Sequence, residues 1–190
     1  MSAYDIILRR RTIRKFKQDK IERELLVKLV NAARHAPSGA NMQPAKYLII
    51  DDSNTVKKIF EHLKWAGYIA PHGDPKEGER PVAYIIVLAD TRIRKSGYEL
   101  DLGAAIQNIL ITAEEENIGT CWIGSVNREE VRQILDIPDE LLINSVIALG
   151  YKAESSVAEE ENGSIKYYKD NKGILHVPKR KLKDIMEVSR

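Results

Sequence analysis

The chain has 190 residues, enough for one domain with a sizeable core or for one protomer of a dimer. Hydrophobic residues make up 43% and charged residues 31%, and 30 Lys+Arg against 28 Asp+Glu leave a net charge of only +2, less than a general nucleic-acid binder carries. The single cysteine, Cys121, rules out an internal disulfide framework; with no apolar leader and no membrane-length run, a cytoplasmic protein is expected, acting on neither nucleic acid nor membrane.

Ser2-x-x-Asp5 matches a capping box with Asp in place of Glu, and Tyr4, Ile7 and Leu8 then share one side of a short helix. That helix delivers Arg9-Arg10-Arg11-Thr12-Ile13-Arg14, four guanidiniums and one hydroxyl in six residues. Cations at a helix C-terminus suit its dipole, which accounts for some of them but not for Arg14. Arg also fits phosphate oxygens bidentately, and Thr12 can add a hydroxyl. Taken alone, the six residues fit a solvated basic turn, or a loose nucleic-acid or membrane patch, better than a specific phosphate site.

Leu25, Leu26, Leu29, Val30 and Ala33 recur at helical spacing and predict a helix over 22–35, with Asp19-x-x-Glu22 at its start and Pro37 ending it. Ala36-Pro37-Ser38-Gly39-Ala40-Asn41-Met42-Gln43-Pro44 follows. It is small, polar and bracketed by prolines, and it offers N–H groups, a hydroxyl and two amides to a ligand; ordinary connections share that composition. A buried strand is expected over 46–50, then a helix from a Ser53 cap to Lys64. Residues 65–81 carry Trp65, Tyr68 and His72 among glycines and prolines, which suits a lid or a surface excursion.

Residues 82–89 are apolar and β-prone, as in a central strand. From 96 to 117, Leu100, Ala104, Ile106, Ile109, Leu110 and Ala113 cover more than one helix face, as expected at a domain core or a dimer interface. Gly119–Gly124 reads as a short strand ending in a turn. Asn127-x-x-Glu130 starts a helix to Leu135, and 143–149 is another strand. Residues 152–173 are polar, with 158–163 expected as an exposed acidic loop before an amphipathic tail through Leu182, Ile185 and Met186. No linker or repeat interrupts the order, so one domain over 1–190 of α+β or α/β type is expected.

Chemical motifs are sparse. No dinucleotide fingerprint, phosphate loop or nucleophile elbow is present. The histidines, His35, His62, His72 and His176, lack metal-ligand spacing, and Cys121 sits in an apolar strand as an inert thiol would. Such a chain binds without chemistry or borrows it from a cofactor.

Four separated segments resemble the flavin-dependent nitroreductase family: Arg10-Arg11-Thr12-Ile13-Arg14, the stretch Ala36–Pro44, the stretch from Asp101 through Asn108 to Gly119-Thr120-Cys121-Trp122-Ile123-Gly124, and Pro178-Lys179-Arg180-Lys181. The resemblance implies an α+β, three-layer α-β-α fold with a central, mostly antiparallel sheet. It also implies a homodimer holding FMN non-covalently at the subunit interface. By it, Arg10, Arg11, Thr12 and Arg14 hold the phosphate and ribityl side, with Lys179 and Arg180 on the same phosphate. Pro37, Ser38, Gly39, Asn41 and Gln43 come from the other subunit. Ile123 and Gly124 place backbone N–H groups near the hydride-accepting ring nitrogen, and Trp122 either flanks the ring or is a core residue. The implied activity is hydride transfer from NAD(P)H through flavin to a small electron acceptor, a nitroaromatic or quinone, in ping-pong order, with no side chain as essential acid or base. Ala45 stands where many members have an aromatic residue, and Arg11 where some have His, so the acceptor is less defined than the flavin. A dehalogenase-like or flavin-modifying relative, or a non-catalytic flavin-binding module, are the alternatives.

Overall fold

The computed structural model describes residues 2–71 and 73–187, so His72 lies outside the described residues. Among these, six helices are formed: α1 (Ala3–Arg9), α2 (Arg23–Ala33), α3 (Ser53–Phe60), α4 (Glu99–Glu115), α5 (Arg128–Leu135) and α6 (Leu182–Ile185). The strands are β1 (Ala45–Ile50), β2 (Ala83–Asp90), β3 (Ile118–Ile123), β4 (Leu141–Tyr151), β5 (Ser156–Glu160), β6 (Tyr168–Lys169) and β7 (Leu175–Lys179).

Four strands make the central sheet in the order β1-β2-β4-β3, every pair antiparallel. All eight residues of β2 are buried, which is why that segment reads as an unbroken apolar run. Because side chains alternate across a strand, its two faces feed separate cores. Ile85, Val87 and Ala89 pack with Leu26 and Leu29 of α2 and Leu102, Ile106 and Ile109 of α4. Tyr84, Ile86 and Leu88 pack with Val56 and Ile59 of α3 and Val131 of α5. Helices cover both faces, giving the three-layer α-β-α architecture with an antiparallel centre. No described helix is long and apolar enough to cross a membrane.

Local chemistry decides the element ends, not always where the sequence pointed. Ser2 and Asp5 do form a reciprocal capping box, with Asp5 N donating to Ser2 Oγ at 3.1 Å and Ser2 N donating to Asp5 Oδ2 at 2.9 Å. At α3 the cap is Asp52, which accepts from Thr55 N at 2.9 Å, and Ser53 is already the first helical residue. Glu22 and Asn127 stand at the N-caps of α2 and α5 without a side-chain cap bond. Cys121 is buried in β3, and burial pushes its thiol up to about 11, as an inert core cysteine requires.

Two expectations need correction. The acidic stretch 158–163 is not wholly a loop: its first half is strand β5, which pairs in parallel with β7, while β6 pairs with β7 antiparallel. Glu160 faces solvent and Glu159 turns to His176 and Tyr168, while the backbone is held by β7. Of the α4 residues expected at the domain core or a dimer interface, Leu100 is 86% exposed, which removes it from the core.

Candidate functional site

The arginine stretch is positioned by two glycines. Gly119 of β3 and Gly150 of β4 are cross-strand partners. A Cβ on Gly119 would lie 2.9 Å from Ile13 Cγ2, and one on Gly150 would lie 2.6 Å from Phe16 Cβ. Their missing side chains open a gap that Ile13 and Phe16 fill, both fully buried. The backbone follows: Ile13 N donates to Thr120 O at 2.9 Å, Lys17 N to Tyr151 O at 2.8 Å and Ala153 N to Lys15 O at 3.0 Å. Thus the residues between α1 and Phe16 are pinned to the sheet, with Arg10, Arg11, Thr12 and Arg14 left half-buried around it.

The cations then separate into three environments. Arg9 turns inward, its Nε 2.7 Å from Oε1 of buried Glu114, which also pairs with Lys152 Nζ at 2.6 Å. Arg10, Arg11 and Lys179 approach one another instead. Burial lowers the pKa of all three from their ordinary values, and repulsion adds to it: Arg10 acts on Arg11, and both act on Lys179. Among the described residues none of the three has a carboxylate in an ion pair; Glu114 attracts Arg10 and Arg11 and opposes the lowering, but its oxygens are taken by Arg9 and Lys152. Arg11 donates to Leu8 O at 2.9 Å, and its buried Nε has no partner. Arg14 sits apart, over the Tyr167 ring at 5.2 Å, with a partnerless buried Nε. Arg180 is exposed just beyond β7.

The segment after α2 is a shaped loop rather than a slack connection. Ala40, Asn41 and Gln43 all have positive φ, at 51°, 55° and 52°. Left-handed backbone costs a non-glycine residue about 1 kcal/mol or more each, so something must hold it. Asp101, in the first turn of α4, accepts from Ser38 Oγ at 2.7 Å, from Gly39 N at 3.2 Å and from Arg94 Nη1 at 3.1 Å. Ser38 Oγ in turn accepts from Gln43 N at 2.9 Å. Hydrogen bonding to Ser38 lowers the Asp101 pKa, and Gly39 and Arg94 assist. Pro37, Gly39, Asn41 and Gln43 are exposed.

At the end of β3, Ile123 is buried and Trp122 is 45% exposed on the opposite face, so Trp122 is not a core residue. Gly124 opens the turn that follows. Arg128 clamps this turn: it donates to Gly124 O at 3.1 Å, to Ile143 O at 2.9 Å and to Asn144 O at 2.8 Å. Asn144 is the extra residue of an irregularity in β4, where Val87 pairs with Ser145 and Leu88 with Ile143. Thr12 joins this region by its bridge to Thr120.

Two groups of expected site residues are therefore assembled, but at opposite ends of one helix. Arg9 marks the arginine end at Glu114, and Ser38 marks the loop end at Asp101. Those two α4 positions are 13 residues apart, about 20 Å at about 1.5 Å per residue. Sequence reasoning missed Glu114, whose partner Arg9 is 105 positions away, missed Arg94 and Arg128, whose partners lie within 16 residues but carry no motif, and gave Asp101 no role.

The comparisons agree with this architecture. The Nitroreductase family model matches residues 7–151. A protein of Archaeoglobus fulgidus, provisionally named NADH dehydrogenase/NAD(P)H nitroreductase, is 34% identical over 77% of this chain and 83% of its own length. An iodotyrosine deiodinase of Thermotoga neapolitana is 25% identical over 78% of this chain and 87% of its own. In fold, the chain resembles a provisionally named nitroreductase of Desulfovibrio desulfuricans, solved in complex with FMN. The TM-score is 0.71 at 22% identity, over 100% of this chain and 98% of the other. With the three-layer fold, the pinned arginines and the shaped proline-bracketed loop in place, the chain belongs to the nitroreductase family.

Proposed function

We propose that the protein is an FMN-dependent oxidoreductase that takes hydride from NAD(P)H and reduces a small acceptor such as a nitroaromatic or quinone. The observation that carries this reading is the Arg10–Arg11–Lys179 cluster: three cations from the two ends of the chain, repelling one another, none of them ion-paired to a carboxylate among the described residues, with only the attraction of Glu114, already paired to Arg9 and Lys152, to offset the repulsion. Such a cluster is stabilised by a ligand of opposite charge, and a phosphomonoester carries roughly two negative charges near neutral pH. The partnerless Nε atoms of Arg11 and Arg14 are further donors for it. The residues present therefore fit an FMN phosphate.

In this reading Arg10, Arg11 and Lys179 hold the phosphate, with Thr12, Arg14 and Arg180 at its margin. Pro37, Ser38, Gly39, Asn41 and Gln43 are contributed by the partner subunit. Ile123 and Gly124 present backbone N–H groups to the ring, and half-exposed Trp122 lies beside it. The separation of the two groups along α4 is compatible with sharing between subunits, because a two-fold axis crossing α4 near its middle would bring the loop end of one α4 to the arginine end of the other. So is the exposed apolar surface of Tyr4, Ile7 and Leu8 on α1 and Leu100 on α4. When bound, FMN supplies the hydride relay in two alternating half-reactions. The protein orients the reactants and sets the charge around them. No side chain acts as essential acid or base, and one domain over residues 1–190 carries both halves, which two subunits combine into each site.

The test is spectroscopic. The purified protein should be yellow or become so with FMN, and NADH or NADPH should bleach the flavin without air. A colourless protein that does not take up FMN contradicts the reading. The deiodinase relative favours one second reading, reductive removal of halogen from an aromatic acceptor, so a halogenated phenol belongs beside nitroaromatics and quinones in the reoxidation panel.

A further inference from the structure

Asp101 and Arg94 stand outside the residues proposed to touch the cofactor, yet they meet at the base of the loop. Three acceptor contacts converge on one carboxylate: Ser38 Oγ at 2.7 Å, Gly39 N at 3.2 Å and Arg94 Nη1 at 3.1 Å. Above it the chain turns through three left-handed non-glycine residues, Ala40, Asn41 and Gln43. Gln43 N closes the loop by donating to Ser38 Oγ at 2.9 Å. The hydroxyl of Ser38 therefore donates to Asp101 and accepts from Gln43, so its oxygen is the hinge pin of the loop. Arg94 is fixed from its other side by Ser96 O, which accepts from Arg94 Nε at 3.0 Å. Gly39 is small where it passes Arg94: a Cβ there would lie 3.0 Å from Nη1.

We propose that Asp101 is a positioning residue that, braced by Arg94 and acting through Ser38, holds loop 37–43 in its binding-competent shape before the cofactor arrives. This rests on the reading that the loop borders FMN. The charged acceptor does what a neutral one does less well: it satisfies an N–H, an O–H and a guanidinium at once, and it offsets the strain of the left-handed turn. Ser38 then serves the site by shaping the loop, leaving the exposed Asn41 and Gln43 free to face the ligand. Because the loop is contributed to the neighbouring subunit's cofactor, a change at Asp101 weakens the site across the interface.

The experiment uses the full chain freed of flavin, with Asp101→Ala, Asp101→Asn, Arg94→Ala, Ser38→Ala and the Ser38→Ala/Asp101→Ala double variant. Hydrogen exchange of the apoprotein and FMN affinity by fluorescence titration are read on each. The expected result has four parts. In Asp101→Ala, exchange at Gly39 and Gln43 speeds up at least tenfold while β2 and β4 amides stay unchanged. FMN affinity falls about tenfold or more. Asp101→Asn and Arg94→Ala lie between Asp101→Ala and the parent. The double variant is little worse than the worse single. If Asp101→Ala does not fold, the Asn and Arg94 variants still report the same ordering. FMN affinity within twofold of the parent in every variant overturns the proposal and leaves the flavoprotein reading intact. Additive losses from Ser38 and Asp101 also overturn it, since they show separate actions. A parent chain that does not bind FMN overturns both.

Discussion

Arg9 and Arg10 are neighbours in sequence and differ in role. Arg9 is spent on buried Glu114, while Arg10 faces Arg11 and Lys179. The sequence could not separate them, because Glu114 lies 105 positions away; the density of charge was legible, its division was not. Glu114→Ala strands Arg9 and Lys152 at one point and is expected to cost about 3 kcal/mol, the upper range for hydrogen bonds to a charged group. In a chain of this size that lowers Tm by roughly 6–12 °C, readable by calorimetry. FMN binding to the folded variant should persist, since Glu114 belongs to the frame. Arg10→Ala should do the reverse. FMN affinity should fall about tenfold to a hundredfold, while riboflavin, which lacks the phosphate, should bind parent and variant alike. Arg23, paired with Asp51 on the surface, serves as the neutral comparison: Arg23→Ala should leave FMN affinity unchanged.

At the scale of elements, the amphipathic and apolar segments were readable because burial imprints a period on them. Helix α2 and strands β2 and β4 appear where the pattern places them. Strands β5 and β6 did not announce themselves, since they are short, polar and half-exposed, and β5 owes its existence to its parallel pairing with β7. This small sheet matters because Lys179 is its last residue. His176 ties it together: its Nδ1 lies 2.7 Å from Glu159 Oε2 on β5, its Nε2 lies 3.4 Å from Asp170 Oδ2 after β6, and its ring stacks on Tyr168 at 4.9 Å. Tyr168 also donates to Glu159 at 3.1 Å. Hydrogen bonding to Glu159, with help from Asp170, raises the His176 pKa above its ordinary value against opposing desolvation. A raised folded-state pKa means that the stabilisation is complete below the ordinary value, about 6.5, and is lost as pH climbs through the raised one. Exchange of β7 amides should therefore quicken, and FMN affinity decline, as pH rises through that window. His176→Asn should flatten both profiles. Profiles of equal steepness in parent and variant would contradict the latch.

On the scale of the whole molecule, the three-layer arrangement followed from the alternation of helices and strands, but the placement of the two halves of the site did not. Nothing local says that the arginines and the proline-bracketed loop lie at opposite ends of α4. Only the contacts of Glu114 and Asp101 do. Leu100 reads from its helical spacing as a residue of the core or of a dimer interface, and at 86% exposed beside open space at Gly103 it is outside the core. Leu100→Arg should weaken self-association, giving a monomer by light scattering that retains its fold and loses FMN. The central claim is that one FMN is held by the arginine wall of one subunit and the loop of its partner. Co-expressed, differently tagged Arg10→Ala and Asn41→Ala chains, isolated as the mixed dimer, test it most directly. A shared site puts both defects in one site and leaves the other intact, so the mixed dimer should bind close to one FMN per dimer at parental affinity. If each site lay within one chain, every site would carry one defect, and no site of parental affinity would appear.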